Sequence, residues 1–432
     1  MVKVGLSGPA ETILRRRPIG RRRRIVSVLV VGAALNGMAT ALALGGRRLR
    51  RPLRVILADA GDPAAFASRG FDGRASAVTG TSRRMLEALS VWAALAGRAE
   101  AMREITVSDG TGEDRGPILL RFAAAGEGHG PDAHMVENGH LYEALLREIE
   151  ASPAIALRTF ARVANLVRGP GLAEARLADG RRLRAALVAA ADGRASPLRE
   201  LAGIACHGHD YGQTAIVLTV AHELPHQGRA EEHFTPGGPF AVLPLAGNRS
   251  SIVWVERTAA AETLLALEPM AFAEEFGKRF GLGHGAFAIE GQRQHYPLRL
   301  QLAAEMTAAR LALVGDAAHV IHPLAGLGFN LGLRDGAALA QAVHDAASLG
   351  LDPGGFDVLA RYGRWRRFDT LATAMAMEGL NRLFSNDNPL LRLLRVGGLK
   401  AIDRMAPLKA LLAAEAAGSG ASLPNLMRGE LP

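Results

Sequence analysis

The chain has 432 residues, 49% hydrophobic and 22% charged, with a single cysteine, Cys206. That composition excludes a disordered or fibrous protein, and one cysteine excludes an internal disulfide or a cysteine-rich metal site. The formal charge of +9 would point to nucleic acid, but eight cations against Glu11 place +7 of it within residues 1–24, which leaves a nearly neutral body and no expected nucleic-acid partner.

The basic arm, residues 1–24, reads as disordered and solvated, with contact to an anionic membrane surface as the alternative. Behind it, residues 25–46 are uncharged over 22 positions, the layout of a signal peptide or membrane span. The same stretch divides into an apolar strand (25–31), a glycine-rich turn (32–37) and a helix (38–44). A second β-type run, residues 53–58, follows and ends on Asp59, 22 positions after Gly37. That spacing matches a βαβ nucleotide unit, whose acid binds ribose hydroxyls. Residues 81–92 and 138–150 carry the apolar spacing of packing helices. Short strands are expected over 154–190, with Asp179-Gly180 as a hairpin turn, and again over 211–256. A buried strand at 311–314 precedes a glycine-rich segment, after which the pattern is helical to about residue 417.

Three motifs carry chemistry. Gly32-Ala33-Ala34-Leu35-Asn36-Gly37 resembles the dinucleotide turn, in which glycines permit the bend, the approach of a pyrophosphate and helix–strand packing; here Ala34 stands at the second glycine position. The segment 187–204 ends an apolar strand on Asp192-Gly193 and enters a helix through Ser196 and Arg199. In the third motif, Gly315-Asp316 close a strand, and "HPLAGLGFN" leads into a helix. Asp316 suits a polyol chain. The loop offers backbone N–H groups edge-on to a flat ring, and the helix N-terminus favours negative charge on it. These features point to a flavin. His319 and His322 lack a third ligand at metal-site spacing, so they are expected as hydrogen-bonded loop residues and no metal is expected. Neither a Gly-x-Ser-x-Gly elbow nor a P-loop lysine motif is present.

Residues 72–92, the Asp192-Gly193 segment, residues 315–335 and residues 380–395 together resemble the group A flavoprotein aromatic hydroxylases, within them the ubiquinone-biosynthesis hydroxylases of the UbiH/UbiF type. The resemblance runs from about residue 25 to the end. It implies an α/β fold: a Rossmann-like FAD-binding domain of the glutathione-reductase type, an interleaved antiparallel β-sheet substrate domain, and a helical C-terminus. The expected division is FAD-binding segments at 25–100, 136–205 and 301–350, substrate-domain segments at 101–135 and 206–300, and C-terminal helices over 351–432.

By position, Gly32, Ala34 and Gly37 would face the FAD pyrophosphate, Asp59 the adenosine ribose, and Arg74 the phosphate or ribityl region. Asp192 would lie near the site shared by FAD and NAD(P)H, and Gly315 and Asp316 near the ribityl and pyrophosphate. Pro323, Gly326, Gly328, Phe329 and Asn330 would bracket the isoalloxazine. Leu243, Pro244, Leu245, Tyr296 and Pro297 are candidates for the substrate pocket, and no side chain is singled out for proton transfer. The implied reaction is hydroxylation of a prenylated phenol or quinone precursor through a flavin C4a-hydroperoxide, with O₂ as co-substrate and NAD(P)H or a separate reductase as donor. Two departures stand out: Ala34, and Leu327 where the family's loop usually has Gln.

A cytoplasmic protein, peripheral to the inner face of a membrane and in contact with a quinone-biosynthesis complex, is expected. Residues 383–412, rich in leucine and interspersed with arginine and lysine, suit either a lipid-surface helix or ordinary core packing. Two other functions fit the same motifs: a flavin-dependent reductase or dehydrogenase without oxygen insertion, and a degenerate lipid- or quinone-binding partner.

Overall fold

The computed structural model describes residues 26–67, 73–110, 116–123, 133–323, 326–384 and 423–432. The basic arm and nearly all of the 383–412 segment lie outside these, as does the side chain of Leu327.

Five parallel strands form the first sheet in the order Leu311–Leu313, Arg182–Ala190, Val26–Val31, Val55–Ala58, Ile155–Arg158. Val28, Leu29 and Val30 are fully buried, which is why residues 26–31 show no polar alternation: a central parallel strand is covered on both faces. Chain order reverses on either side of this strand, and such a switch point opens a crevice at the strands' carboxyl ends. Residues 163–177 extend the sheet as an antiparallel hairpin, with Gly180 at φ +84° in the Asp179-Gly180 turn.

The helix expected from residue 38 starts earlier, at Leu35–Gly45. Ala34 is its N-cap, extended at φ −75°, ψ 177°, and no residue between it and Gly37 resists helix, so the turn shrinks to residues 32–34. This helix packs on Leu327–Ser348 through two glycines. A methyl on Gly332 would lie 2.1 Å from Asn36 Nδ2, and one on Gly336 2.5 Å from Thr40 Oγ1.

The second sheet has eight strands, in the order His319–Val320, Phe287–Ala303, Cys206–His222, Arg249–Arg257, Gly238–Leu245, Arg229–Thr235, Glu104–Asp109, Ile118–Ala123. It is antiparallel except where Arg229–Thr235 runs parallel to Glu104–Asp109. Helices Thr258–Leu265 and Pro269–Phe280 cover one face around Phe240, Trp254, Phe272, Phe276 and Phe280. A third sheet joins Ala75–Thr79, Ala133–Glu137 and Glu100–Met102. The strand His319–Val320 pairs with Gln301 and Leu302, so the glycine segment that follows Leu311–Leu313 reaches directly into the second sheet.

Candidate active site

All three motifs meet at the carboxyl edge of the first sheet. Gly32 adopts φ +102°, and a methyl there would strike the carbonyl oxygen of Ala191 at 2.2 Å. Glycine is therefore required for the first and second motifs to touch. A methyl on Gly37 would lie 1.8 Å from the Gly32 oxygen, so this glycine lets helix close on strand. Ala34 is exposed in a conformation open to any residue, and no side chain caps the helix it begins. The first-turn amides of that helix are thus available to an anion.

Asp59 ties the second strand to the turn: its Oδ2 accepts from Ala33 N at 2.6 Å and its Oδ1 from Gly61 N at 2.7 Å. A carboxylate has about four acceptor sites, which leaves capacity for ribose hydroxyls. Asp192 accepts from Ser196 Oγ at 2.5 Å and Leu198 N at 3.1 Å. Burial pushes its carboxyl up, against the lowering effect of those two hydrogen bonds. Arg199, buried, donates to the Ala317 carbonyl at 3.0 Å, clamping the second motif onto the third.

Gly315, at φ +60°, abuts Asn36, and its amide donates to Asp335 Oδ2 at 2.9 Å. Asp316 is exposed beside it. Beneath the turn lies a buried polar network that the sequence did not announce. Asp335 bonds His319 Nε2 at 2.6 Å and Arg366 Nε at 2.7 Å, and Arg366 also pairs with Asp369. Burial pushes the Asp335 carboxyl up, but His319 and Arg366 outweigh it and hold the group below the usual carboxylate range. Asp335 stood within the third motif; Arg366, 31 positions further on, carried no local signal.

The loop after His322 is held by Asn330. Its Nδ2 donates to Ala77 O at 2.7 Å and its Oδ1 accepts from Thr79 N at 3.0 Å, so the side chain fastens the loop to Ala75–Thr79 and has no remaining donor or acceptor aimed at a ring. Gly326, at φ +62°, packs on Ala77, whereas Gly328 has no atom within 4 Å of where a methyl would sit. Pro323 and Phe329 are half-buried. Arg74 sits at the mouth of the same strand, its carbonyl accepting from Asn138 N at 2.9 Å. His322 is fully buried, with its ring against the edge of Tyr211. Burial lowers its pKa to about 4, so the imidazole is neutral.

The second sheet's uncovered face turns toward this loop. Leu243 and Leu245 cluster with Ala77 and Met135. Tyr296 pairs with Ala215, beside Val255 and Leu298. Strand alternation splits the expected pocket set: Pro244 pairs with Ser250 and Pro297 with Thr214, so these two prolines project to the other side of their strands.

A dinucleotide crevice at a switch point, a glycine loop closing on open space and a β-sheet wall beyond it define a flavin-dependent oxidoreductase fold. The chain belongs to the FAD binding domain family, matched over residues 25–377, among the ubiquinone-biosynthesis hydroxylases, and is an FAD-dependent hydroxylase. It is 44% identical to ubiquinone hydroxylase UbiL of Rhodospirillum rubrum, over 95% of this chain and 94% of that protein. It is 34% identical to 3-demethoxyubiquinol 3-hydroxylase of Escherichia coli, over 88% and 96%. In fold it is similar to p-nitrophenol 4-monooxygenase PnpA of Pseudomonas putida, with a TM-score of 0.76 at 20% identity, covering 92% of this chain and 99% of that one.

Proposed function

We propose that this hydroxylase adds one oxygen atom to the ring of a prenylated phenol on the route to ubiquinone. The observation that carries the reading is the convergence of Gly32, Asp59, Asp192 and Gly315 on one crevice edge beside the open side of Gly328. FAD fits there: Asn36 Oδ1 is buried without a hydrogen-bond partner among the described residues, and no side chain caps the first helical turn. In this assignment the turn of Gly32, Ala34 and Gly37 holds the pyrophosphate, Asp59 the ribose, Arg74 and Asp316 the linker between them and the ring, and Pro323, Gly326, Gly328 and Phe329 the ring itself. Asp192 fixes the neighbouring wall. Leu243, Leu245 and Tyr296 line the substrate side.

Bound FAD, reduced by NAD(P)H or a partner reductase, would supply the activation of O₂ from which the added oxygen atom comes. The chain's own task is to hold the phenol ring against the loop, keep water out with the apolar sheet face and keep His322 uncharged beside the ring. Among the described residues no helix is long and apolar enough to cross a membrane. The test is anaerobic reduction of the flavin-loaded protein, then addition of oxygen and 2-prenylphenol. A product heavier by one oxygen atom is expected. Flavin oxidation with unchanged substrate mass, or a product differing only in hydrogen count, overturns the reading.

A further inference from the structure

The wall opposite the ring loop carries Ala241, Leu243 and Phe234, with the polar side chains of Ser251 and Thr219 further along it and one glutamate set among the apolar residues. On Arg229–Thr235, Glu231 pairs with Val242 and Glu232 with Ala241. Val242 belongs to the cluster beneath helix Pro269–Phe280, so Glu231 lies on the helix side, where it meets His233 at 3.1 Å and Arg229 at 2.9 Å. Its neighbour Glu232 therefore points the other way, beside Val107, Ala241 and Phe234.

That side is the one facing the loop, at both ends. Phe234, two positions along, packs against Ile321 and Leu331, which bracket the loop in sequence. Leu243, two beyond Ala241, packs with Ala77, and Ala77 is what Gly326 closes upon. Glu232 is thus suspended between the two anchoring points of the ring loop. It is half-buried, and its carboxylate makes no hydrogen bond or ion pair with any described residue. A carboxylate in such a place is costly without a partner, which is the mark of a group kept for a ligand.

We propose that Glu232 is the base of this site and accepts the proton of the substrate's ring hydroxyl. The inference rests on the reading of the protein as a phenol hydroxylase. The phenolic O–H bond breaks, its electron pair stays on oxygen to give a phenolate, and the proton forms a new O–H bond on the Glu232 carboxylate. The phenolate ring is the electron-rich form that takes up an electrophilic oxygen. The ring carbon then gives up its hydrogen as a proton to water, its C–H electron pair restoring aromaticity and leaving a phenolate, the proton on Glu232 passes to that phenolate oxygen, and the carboxylate is regenerated.

Burial alone raises the Glu232 pKa to about 7. The other charged or titratable groups facing this side are Asp109 on the adjoining strand, His322 on the loop, Arg257 and Arg249 on strand Arg249–Arg257, the latter with Glu137 and Glu290, His209 and Tyr211 on strand Cys206–His222, and Glu378 and Arg382 on helix Phe356–Phe384. None of them contributes to that shift. A base near neutrality matches the pH at which it must both take and release a proton.

The test compares the flavin-loaded wild type with Glu232→Gln, Glu232→Asp and Glu232→Leu. First, binding of 2-prenylphenol and of its methyl ether, which has no proton to give, is measured by perturbation of the flavin spectrum. The wild type should prefer the phenol about tenfold at pH 8 and lose that preference by pH 5, while Glu232→Gln shows little preference at either pH. Second, single-turnover hydroxylation in the wild type should rise with pH and level off near 7. Glu232→Gln should be slower by about 100-fold without that pH dependence, and Glu232→Asp should restore part of both. Third, Glu232→Leu should melt no lower than wild type, because the carboxylate holds nothing in the fold. An unchanged preference and pH profile in Glu232→Gln, or a lowered melting temperature in Glu232→Leu, overturns the proposal. A wild type that prefers the phenol yet adds no oxygen to it supports Glu232 as the hydroxyl's partner and overturns the hydroxylase reading instead.

Discussion

Asn330 illustrates how a single side chain is given away to architecture. Its amide bridges Ala77 and Thr79 across some 250 positions of sequence, and so fastens the start of helix Leu327–Ser348 to the third sheet. Asn330→Ala leaves a buried N–H and a buried C=O unpaired, a loss of about 1–3 kcal/mol. Urea unfolding of the apoprotein should register it, and FAD affinity, read by quenching of flavin fluorescence, should fall as the loop loosens. The sequence pointed to this residue as a ring contact; the structure shows its side chain committed to the protein, because the partner strand is invisible from residue 330. Gly32, Gly37 and Gly315 were legible for a better reason. Each glycine answers a local backbone demand, a positive φ or a close approach, that a short motif records. Ala34 departs from the motif at a position whose φ of −75° makes no such demand.

Between elements, the same logic governs how the first helix sits on the helix after the loop. Gly332 and Gly336 lie one turn apart and receive Asn36 and Thr40, so the two backbones approach closely and hold the Gly32 turn against the Gly315 turn. Gly336→Ala would place a methyl 2.5 Å from Thr40 Oγ1. Overpacking of this kind costs about 1–3 kcal/mol, and a lowered melting temperature with weakened FAD binding is expected. The spacing of Gly332 and Gly336 was present in the sequence, but a small-residue pair on a helix does not name its partner. Helix Leu35–Gly45 was foreseen three residues short because the glycine motif was read as a turn throughout, whereas the turn ends where backbone amides begin to pair, at Ala34. Residues 138–150 were read to their bounds, since an amphipathic helix carries its own period.

At the level of the whole molecule, buried titratable groups set the pH response. Burial lowers His322 and His134 from 6.5 to about 4, so between those values the unfolded chain binds more protons than the folded one. Stability present above about pH 6.5 is then lost as pH falls toward 4, on the order of 3 kcal/mol for each histidine. Glu232, raised from 4.5 to about 7, acts in the opposite sense: the folded state binds the extra proton, and its contribution is lost as pH rises through 7. Two histidines outweigh one glutamate. Denaturant midpoints should therefore climb from pH 4 to 6.5, and more steeply in Glu232→Leu. A flat profile in both proteins would contradict this assignment of buried charge.

The amino-acid sequence by itself determined the nucleotide unit, the order of its three motifs and the flavin they accommodate, because glycines, strand-ending acids and apolar runs act within a few residues of where they stand. Only the tertiary structure decided which side chains share the crevice. Arg366 reaches Asp335 beneath the Gly315 turn, Asn330 is spent on a distant strand, and Glu232 rather than Glu231 lies on the sheet face left uncovered by helix Pro269–Phe280. A β-strand presents alternate residues to opposite sides, and which side is the reacting one depends on the register and cover supplied by other strands and helices.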